Sequence, residues 1–143
     1  MNVARILARK GAEVVTIAPG RTLLQVAEEL TSRGIGALVV VDDDDEVVGL
    51  ITERDIVGAI ARRGVEALCD EVARFMTVDP MSIGEDHTLE ATMEAMTVER
   101  RRHLPVLREG RLAGLVSIGD VVKCRIDEIE SERQELRAYI ATA

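Results

Sequence analysis

The sequence predicts an α+β protein, within the broad α/β class, made of two β-α-β-β-α units related by pseudo-two-fold symmetry. The first observation is a repeat: residues 49–55, Gly-Leu-Ile-Thr-Glu-Arg-Asp, return at 114–120 as Gly-Leu-Val-Ser-Ile-Gly-Asp. The second is that each copy follows an apolar run and opens a helical pattern. The third is length, because 143 residues suit one domain, or two lobes that share a core. We therefore expect the two units to pack sheet against sheet, with both repeated corners facing a common cleft.

The first unit is predicted over residues 1–70, and it begins with a short N-terminal helix at 1–11. A β-type run follows at 14–17. Thr22 then caps a helix, because a threonine hydroxyl can accept from a free amide of the first turn. Apolar residues recur after it with the helical period and end near Gly34.

Two strands complete this unit before its second helix. They are predicted at 37–41 and 47–52, on either side of residues 42–46, Asp-Asp-Asp-Asp-Glu, which are too polar for anything but an exposed turn. The acidic turn lacks the ligand spacing of a calcium loop. The helix is predicted from 53 to 63, and Gly64 stops it.

The second unit is predicted over residues 71–122 and repeats this order. A strand is expected at 81–83, followed by a helix that Thr88 caps. Strands at 103–107 and 112–117 then precede the last helix.

The two units align with small changes of offset. Thr22 and Thr88 are 66 residues apart, and the matched corners are 65 apart. Our alignment sets residues 37–40 against 104–107, at an offset of 67. It predicts one residue added before the strand and two removed in the turn, where insertions and deletions are tolerated.

The tail is predicted as a long helix with a separate segment at 123–143. No glycine or proline occurs between residue 120 and about Tyr139, and apolar residues recur at spacings of three and four. The members of this seam, one of them charged, are Val122, Ile126, Ile129, Arg133, Leu136 and Ile140. Two arrangements fit the pattern: a helix lying across its own domain, and a projecting arm that packs on a second subunit.

Composition argues against several classes of partner. A net charge of −8 and an aromatic content of 1% disfavour nucleic-acid binding, which needs cations and, for single strands, stacking platforms. No apolar run reaches the roughly 18 residues of a membrane span. The N-terminus reads as a helix with mixed-in basic residues, so we expect a cytoplasmic protein. Cys69, Cys124, His87 and His103 are isolated, and no metal site is predicted.

The repeat resembles a tandem pair of CBS domains, the cystathionine β-synthase type, together called a Bateman module. The resemblance covers roughly residues 14–122. It is carried by the two Gly-apolar-x-Thr/Ser-x-x-Asp corners, by Arg-His-Leu-Pro-Val at 102–106 and by Phe-Met-Thr at 75–77. The likeness is greatest to small bacterial proteins made of this module alone, whose last helix begins like residues 116–123.

The resemblance implies a regulatory module rather than an enzyme. Such modules bind AMP, ADP, ATP, S-adenosylmethionine or NAD(H), commonly form disc-shaped homodimers, and regulate another protein. Similar repeats occur inside inosine-monophosphate dehydrogenase, but the catalytic barrel of that enzyme needs about 200 or more further residues. We find no nucleophile beside a base and no paired acids, and we expect no catalysis.

The repeated corners supply the candidate ribose and phosphate ligands. Asp55 and Asp120 are assigned to the ribose hydroxyls, since a carboxylate beside a phosphate would repel it. Thr52 and Ser117, with backbone amides, are placed nearer the phosphate or the ribose. As a helix cap, each Thr/Ser-x-x-Asp also has a purely structural explanation.

Basic residues supply further candidate phosphate ligands. Arg54 lies in the first turn of a helix, where the dipole disfavours a cation, so a phosphate would compensate its placement; a surface salt bridge is the alternative. Arg102 and His103 are expected to reach the cleft, although cations also favour a helix C-terminus. Gly119 matches Arg54, which predicts two unequal sites or one extended ligand such as a dinucleotide.

With almost no aromatic residues, an adenine ring would have to lie between aliphatic walls. By family analogy these walls are Thr16, Ile17, Ile35 and Ala37 in one unit and Met81, Ile83 and Leu104 in the other. Each is explained equally well as a core residue. The leading hypothesis is a sensor that binds an adenosine-containing ligand and signals to an unknown partner by a change of shape. The alternative is a homodimeric interaction scaffold in which nucleotide is structural or absent.

Overall fold

A computed structural model describes residues 1–142 and has the predicted mixed α/β architecture. Ala143, the last residue of the predicted 123–143 segment, lies outside the described residues. The described helices are α1 (Val3–Lys10), α2 (Leu23–Arg33), α3 (Glu53–Arg63), α4 (Leu89–Glu99) and α5 (Ile118–Thr142). The strands are β1 (Thr16–Ile17), β2 (Ala37–Val41), β3 (Val47–Thr52), β4 (Thr77–Val78), β5 (Ile83–Gly84), β6 (His103–Arg108) and β7 (Arg111–Ser117).

Threonine hydroxyls begin three of these helices. The hydroxyl of Thr22 accepts from the amide of Gln25 at 3.2 Å, and the Gln25 side chain accepts from the amide of Thr22 at 2.9 Å. Thr88 caps α4 through the amide of Ala91 at 3.0 Å. Because each cap satisfies amides that have no partner within the helix, these positions fix where the helices start.

The strands form two small sheets. The first has the order β1-β2-β3-β4 and the second the order β5-β6-β7. In both, the short leading strand is parallel to the next strand, which is antiparallel to the one after it. Short 3₁₀ turns at Gly64–Cys69 and Val72–Arg74 and the added strand β4 have no counterpart in the sequence prediction.

Alternation along the strands builds a four-layer molecule with two outer cores and one central core. In β2, Leu38 and Val40 face the core under α2 and α3, while Val39 belongs to a different cluster. That central cluster joins Val39 and Leu50 of the first sheet to Leu112 and Leu115 of β7. The order helix, sheet, sheet, helix follows, because successive strand residues point to opposite faces.

The strand registers correct our alignment of the two units. Ile17 pairs with Val40 in one sheet, and Ile83 pairs with Val106 in the other, so the offset of 66 continues through β2 and β6. The predicted step to 67 is therefore wrong, and one residue, not two, is removed in the turn. Apolar runs of similar residues slide past each other in a sequence alignment, whereas hydrogen-bond register does not.

The segment before each unit packs on the other unit. Helix α1 buries Val3, Ile6 and Leu7 in the core of the second unit, although the prediction groups it with residues 1–70. The connection between the units does the converse, since β4 joins the first sheet by pairing with β3. The predicted domain boundaries follow the order of the sequence. In the structure, α1 and β4 each pack on the unit on the other side of the predicted boundary.

Two glycines make these exchanges possible. A Cβ on Gly114 would lie 2.6 Å from Leu7 Cδ2, and one on Gly49 would lie 2.5 Å from Met76 Sδ. Real Cβ atoms do not approach other atoms so closely. The repeated glycine of the corner motif is therefore explained by the segment that packs against it.

Helix α5 leaves the body of the molecule after its first three turns. Val121 and Cys124 are buried, but every residue from 129 to 142 is exposed. The apolar seam predicted from the sequence stays uncovered, with Leu136 60% and Ile140 65% exposed. Within the described residues, its outer half does not lie across its own domain.

Candidate functional site

The first corner is a complete capping box at the start of α3. The amide of Thr52 donates to Asp55 Oδ2 at 2.9 Å, and the Thr52 hydroxyl donates to the same oxygen at 3.1 Å. The amide of Asp55 in turn donates to the Thr52 hydroxyl at 3.3 Å. Both side chains are therefore held in place, and the second carboxylate oxygen, Oδ1, has no hydrogen bond within residues 1–142.

A cleft of about 430 Å³ joins this corner to the second unit. From the first unit it is lined by Gly36, Leu50, Thr52, Glu53, Arg54 and Val57, and from the second by Arg100, Arg101, Arg102 and His103. The structure thus brings four of the predicted phosphate ligands together: Thr52, Arg54, Arg102 and His103.

The cleft is strongly basic. Arg54, Arg100, Arg101 and Arg102 are exposed, and none of them forms an ion pair with another described residue. Glu53 is the single acidic side chain among the lining residues. Four arginines without carboxylate partners around one concave surface make it suited to an anion.

Arg100 occupies a position where glycine is the favourable residue. It ends α4 in the left-handed conformation, with φ 53° and ψ 44°, just as Gly34 ends α2 with φ 63°. For a residue with a Cβ this conformation costs about 1–2 kcal/mol. A residue in this conformation is a common end of a helix, and here the amide of Arg100 donates to the carbonyls of Met96 and Thr97.

His103 begins β6, where it pairs in register with Ser117 of the second corner. A Cβ on Gly36 would be 3.5 Å from the ring atoms Cε1 and Nε2 of His103 and 3.4 Å from Glu53 Oε1, so both side chains pack beside this glycine. Burial lowers the pKa of His103 below its ordinary value of 6.5, and the charges of Glu53 and Asp120 oppose that shift. Burial therefore favours the neutral form of the His103 imidazole.

The second corner has the same capping geometry but an additional partner. The amide of Ser117 donates to Asp120 Oδ2 at 2.8 Å, and the amide of Asp120 donates to the Ser117 hydroxyl at 3.2 Å. Lys10, from the end of α1, donates to the same Asp120 Oδ2 at 2.6 Å and to the carbonyl of Leu115 at 2.8 Å. Burial would raise the pKa of Asp120, but the hydrogen bonds from Lys10 and Ser117 outweigh it and lower that pKa.

The predicted adenine walls are dispersed in the structure. Ile17 is buried under α2 and α3, Ala37 lies in the central core, and Ile83 and Leu104 are 2% and 1% exposed in the second outer core. None of the seven predicted wall residues lines the arginine-rich cleft.

The remaining walls are accessible elsewhere. Thr16 and Met81 are exposed. Thr16 lines a separate surface cleft near α2, together with part of Ile17, and Ile35 lines a groove between α2 and α3. The adenine contacts therefore stay a prediction. The side chains of Ile83 and Leu104 have no surface to give to a ring.

Sequence reasoning did not select several residues that line the cleft: Gly36, Leu50, Glu53, Val57, Arg100 and Arg101. It also missed Lys10, which contacts Asp120 from a helix more than 100 positions away. The run Arg100-Arg101-Arg102 was visible, but a helix terminus explains it without a site. Nothing in the sequence near Lys10 indicates that α1 packs on the second unit.

Comparison with protein families identifies the fold. The model of the CBS domain matches this chain twice, over residues 3–62 and 71–127. The chain belongs to the CBS domain family. Both matches extend past the repeat noted in the sequence and take in α1 and the start of α5.

Solved structures and curated relatives agree with this membership. The chain is 44% identical to a CBS-domain-containing protein of Agrobacterium tumefaciens, with a TM-score of 0.85 over 87% of this chain and 92% of the other. An uncharacterized 17.7 kDa protein of Acidianus ambivalens is 35% identical over 80% of this chain. The chain spans 69%, 60% and 65% of the lengths of the first three curated relatives.

A more distant CBS pair shares the fold at 22% identity, with a TM-score of 0.80 over 90% of this chain and 98% of the other. That pair was crystallised in complex with 5′-methylthioadenosine and S-adenosyl-L-methionine.

Two further properties concern the described residues only. Residues 1–142 contain no group of three or more His, Cys, Asp or Glu side chains placed to hold a metal ion. No helix in that part of the chain combines the length and apolar character needed to cross a bilayer.

Proposed function

We propose that this CBS pair is a sensor that binds an adenosine-containing ligand, such as AMP, ATP or NAD(H), in the arginine-rich cleft. The observation that carries the proposal is the meeting of Thr52 and Arg54 with Arg100–Arg102 and His103 around one space of about 430 Å³. Pockets for small ligands typically measure about 300–1,000 Å³, so a nucleotide fits this range.

The charges suggest how the ligand lies. Asp55 itself is not among the residues that line the cleft, but it is held by Thr52, which does line it. A ligand that reaches past Thr52 would meet Oδ1 of Asp55, which would accept from the ribose 2′- and 3′-hydroxyls. The phosphates would lie toward Arg54, Arg102 and His103, away from that carboxylate. Ser117 and Asp120, the matching pair, belong to the second corner, where Lys10 already contacts the carboxylate. The adenine would then rest against Val57, which lines the cleft and is 66% exposed, whereas Leu50, the other large apolar lining residue, is buried in the central core.

The adenosine class is also supported by the distant pair that holds 5′-methylthioadenosine and S-adenosyl-L-methionine. Neither of those two compounds carries a phosphate. In this chain, the four cleft arginines, which form no ion pair with another described residue, favour a ligand that does. The Thr52 hydroxyl lies beside the Asp55 carboxylate, but the helix cap explains this contact. We therefore propose binding without chemistry.

The output of the sensor would be a change of shape passed to a partner protein in the cytoplasm. The sensor would act as a homodimer, because helices of both units carry exposed apolar residues that a second subunit could cover. Among them are Val57 of α3, 66% exposed, and Val122 of α5, 49% exposed. The exposed outer half of α5 favours the second candidate, an interaction scaffold in which nucleotide is structural or absent.

Calorimetric titration with AMP, ATP, NADH and S-adenosylmethionine separates the two functions. We expect saturable binding of at least one phosphate-bearing compound. Asp55→Asn removes the charge but keeps an oxygen to accept from the Thr52 amide, so it should preserve the fold. Loss of a charged hydrogen bond corresponds to about a 10- to 100-fold weaker Kd.

The matched control is Asp43→Asn, in the exposed turn between β2 and β3, which should bind like the unaltered protein. Absence of saturable binding by all four compounds would reject the sensor and leave the scaffold. Equal affinity of Asp55→Asn and the unaltered protein would reject the ribose assignment alone.

A further inference from the structure

The apolar seam of α5 extends back to Ile118, so it runs along the whole helix. Spacings of three, four and seven residues place its members on one face. Between 42% and 65% exposed, they are Ile118, Val122, Ile126, Ile129, Leu136 and Ile140. Because Ile118 and Ile140 are 22 positions apart, the seam is about 33 Å long at 1.5 Å per residue. Only an elongated partner can cover a surface of this shape.

A groove beside the inner half of the seam has the form to receive a helix. It lies between α4 and α5 and has a volume of about 320 Å³. Its apolar lining residues are Met93, Met96, Ile118, Val121 and Val122. The outer half of α5 has no such groove, since every residue from 129 to 142 is exposed. One half of α5 is therefore a free amphipathic helix, and the other half borders an empty apolar groove of the kind that binds one.

The seam is also symmetric about Ile129. Ile118 and Ile140 each lie 11 positions from it, and Val122 and Leu136 each lie seven positions from it. In an antiparallel pair of α5 helices with Ile129 on the two-fold axis, Leu136 of one copy meets Val122 of the other, and Ile140 meets Ile118. A two-fold interface has to be self-complementary in this way.

The one charged residue of the seam favours the antiparallel direction. In a parallel pair, Arg133 would meet the same arginine of the second copy, and like charges repel. In the antiparallel pair it lies near Ile126 of the second copy, where its methylene stem can pack while the guanidinium stays in water. Arg125, which precedes Ile126, is already paired with Glu128 at 3.0 Å.

The flank of the seam agrees with this direction. Glu135 and Tyr139 lie on the same side of α5 as the buried Val121, because they follow it by 14 and 18 residues, about four and five turns. In the antiparallel pair this side of the outer half meets the end of α4 in the second copy. Arg100 and Arg101 are exposed there and form no ion pair with another described residue. Exposed charges of this kind fix orientation more than they add affinity.

We propose that two copies of this chain pair through antiparallel α5 helices centred on Ile129, with the outer half of each helix seated in the groove between α4 and α5 of the other. The inference rests on the homodimer of the proposed function and adds the surface that forms it. Arg100, Arg101 and Arg102 line both this groove and the nucleotide cleft, so the seated helix would lie beside the ligand.

Disulfide cross-linking between single cysteines tests the geometry. All variants carry Cys69→Ser, which removes the exposed native thiol, whereas Cys124 is buried. On oxidation, Ile129→Cys should shift from the monomer to the dimer band of a non-reducing gel, because the two-fold axis brings its two thiols together. Ser131→Cys is the matched control on the opposite face of α5, and it should stay at the monomer band.

A second pair of variants reports the direction of the helices. Val122→Cys and Leu136→Cys should each remain unlinked alone and should cross-link when the two proteins are mixed under reducing conditions and then oxidised. A linked dimer from Leu136→Cys alone would indicate parallel helices and overturn the proposal. A dimer detected by light scattering that no variant cross-links would overturn it too.

The outcome for this interface is separable from the outcome for nucleotide binding, since none of the substituted residues lines the arginine-rich cleft. A monomer at all concentrations would remove the homodimer and this inference but leave the titrations to decide the sensor. Cross-linked dimers that bind none of the four compounds would reject the sensor and keep the interface.

Discussion

At the scale of single residues, the protonation of His103 depends on charged side chains from several parts of the fold. Four charged side chains from four parts of the fold act on it: Lys10 of α1, Glu53 of α3, Arg102 before β6 and Asp120 of α5. Burial is the largest influence and favours the neutral ring. A phosphate beside His103 would favour the imidazolium instead.

This difference predicts a pH dependence of binding. In the empty protein the pKa of His103 lies below 6.5, and a bound phosphate would raise it, so the complex takes up a proton that the free protein does not hold. Affinity for AMP should therefore increase as the pH falls from neutrality through the pKa of the complex. It should level off below the pKa of the free protein.

Titrations in buffers of different ionisation enthalpy measure the proton uptake directly. His103→Asn is the control. The two proteins are compared at each pH because the phosphate of the ligand also titrates, with a pKa of about 6 like that of a phosphorylated side chain. The predicted increase is the part that His103→Asn lacks. Identical pH profiles for the two proteins would contradict a phosphate contact at His103.

At the scale of elements, the glycine of each repeated corner reports on packing rather than on ligand binding. From the sequence alone, Gly49 and Gly114 are interpreted as part of a binding motif. In the structure, each accepts a side chain from the segment that precedes a unit, Met76 on one and Leu7 on the other. The motif thus combines a helix cap, which is local, with a packing site, which is not.

Gly114→Ala should destabilise the protein. The added methyl would lie 2.6 and 2.8 Å from the two terminal carbons of Leu7, and overpacking of this kind costs about 1–3 kcal/mol. Gly58→Ala is the control, because a Cβ at that position of α3 meets nothing within 4 Å. This substitution should be neutral or stabilise the helix by about 0.5–1 kcal/mol.

Urea unfolding of both variants measures the difference. A double-mutant cycle with Leu7→Ala identifies the contact, since the methyl added at Gly114 then enters the space that Leu7 leaves. The two substitutions should cost less together than the sum of their separate costs. Simple additivity would mean that α1 does not pack on β7 in solution.

At the scale of the whole molecule, the outer half of α5 stands apart from the rest of the fold. Residues 129–142 are all exposed, so they add little to the stability of the chain that carries them. Leu136, Tyr139 and Ile140 nevertheless form an apolar stripe on this half, 60%, 72% and 65% exposed. An uncovered stripe of this kind is typical of a surface that packs on another subunit.

Removal of residues 131–143 should separate stability from assembly. The thermal transition of the truncated chain should change by no more than surface substitutions usually change it, about 0.5 kcal/mol in unfolding free energy. The proposed dimer should be weakened, so that the truncated chain dissociates to monomers at a higher protein concentration than the full chain does, as measured by light scattering after size-exclusion chromatography.

A control for the loss of charge is Glu132→Gln with Glu135→Gln, which leaves the apolar stripe intact and should keep the dimer. An unchanged dimer in the truncated chain would exclude α5 from the interface. The helical surfaces near Val57 and Val122 would then be the place to look.

The sequence by itself determined what depends on neighbouring residues. Helix caps at Thr22, Thr52 and Thr88, the bounds of β2, β3 and α3, and the duplication follow from local hydrogen bonding and periodicity, and the structure has them. The sequence also predicts Thr52, Arg54, Arg102 and His103 as phosphate ligands; the structure brings them to one cleft, and their role in binding stays a prediction. The family likewise follows from the two corners and is confirmed by the match at 3–62 and 71–127.

Only the tertiary structure decided what depends on residues far apart in the chain. It shows that α1 crosses to the second unit, that Lys10 meets Asp120, and that Ile83 and Leu104 are enclosed in a core. The physical reason is that a sequence records which side chains are apolar or charged but not which faces they share. Two corners alike in sequence are thus unlike in space, since a lysine 110 positions away contacts one of them.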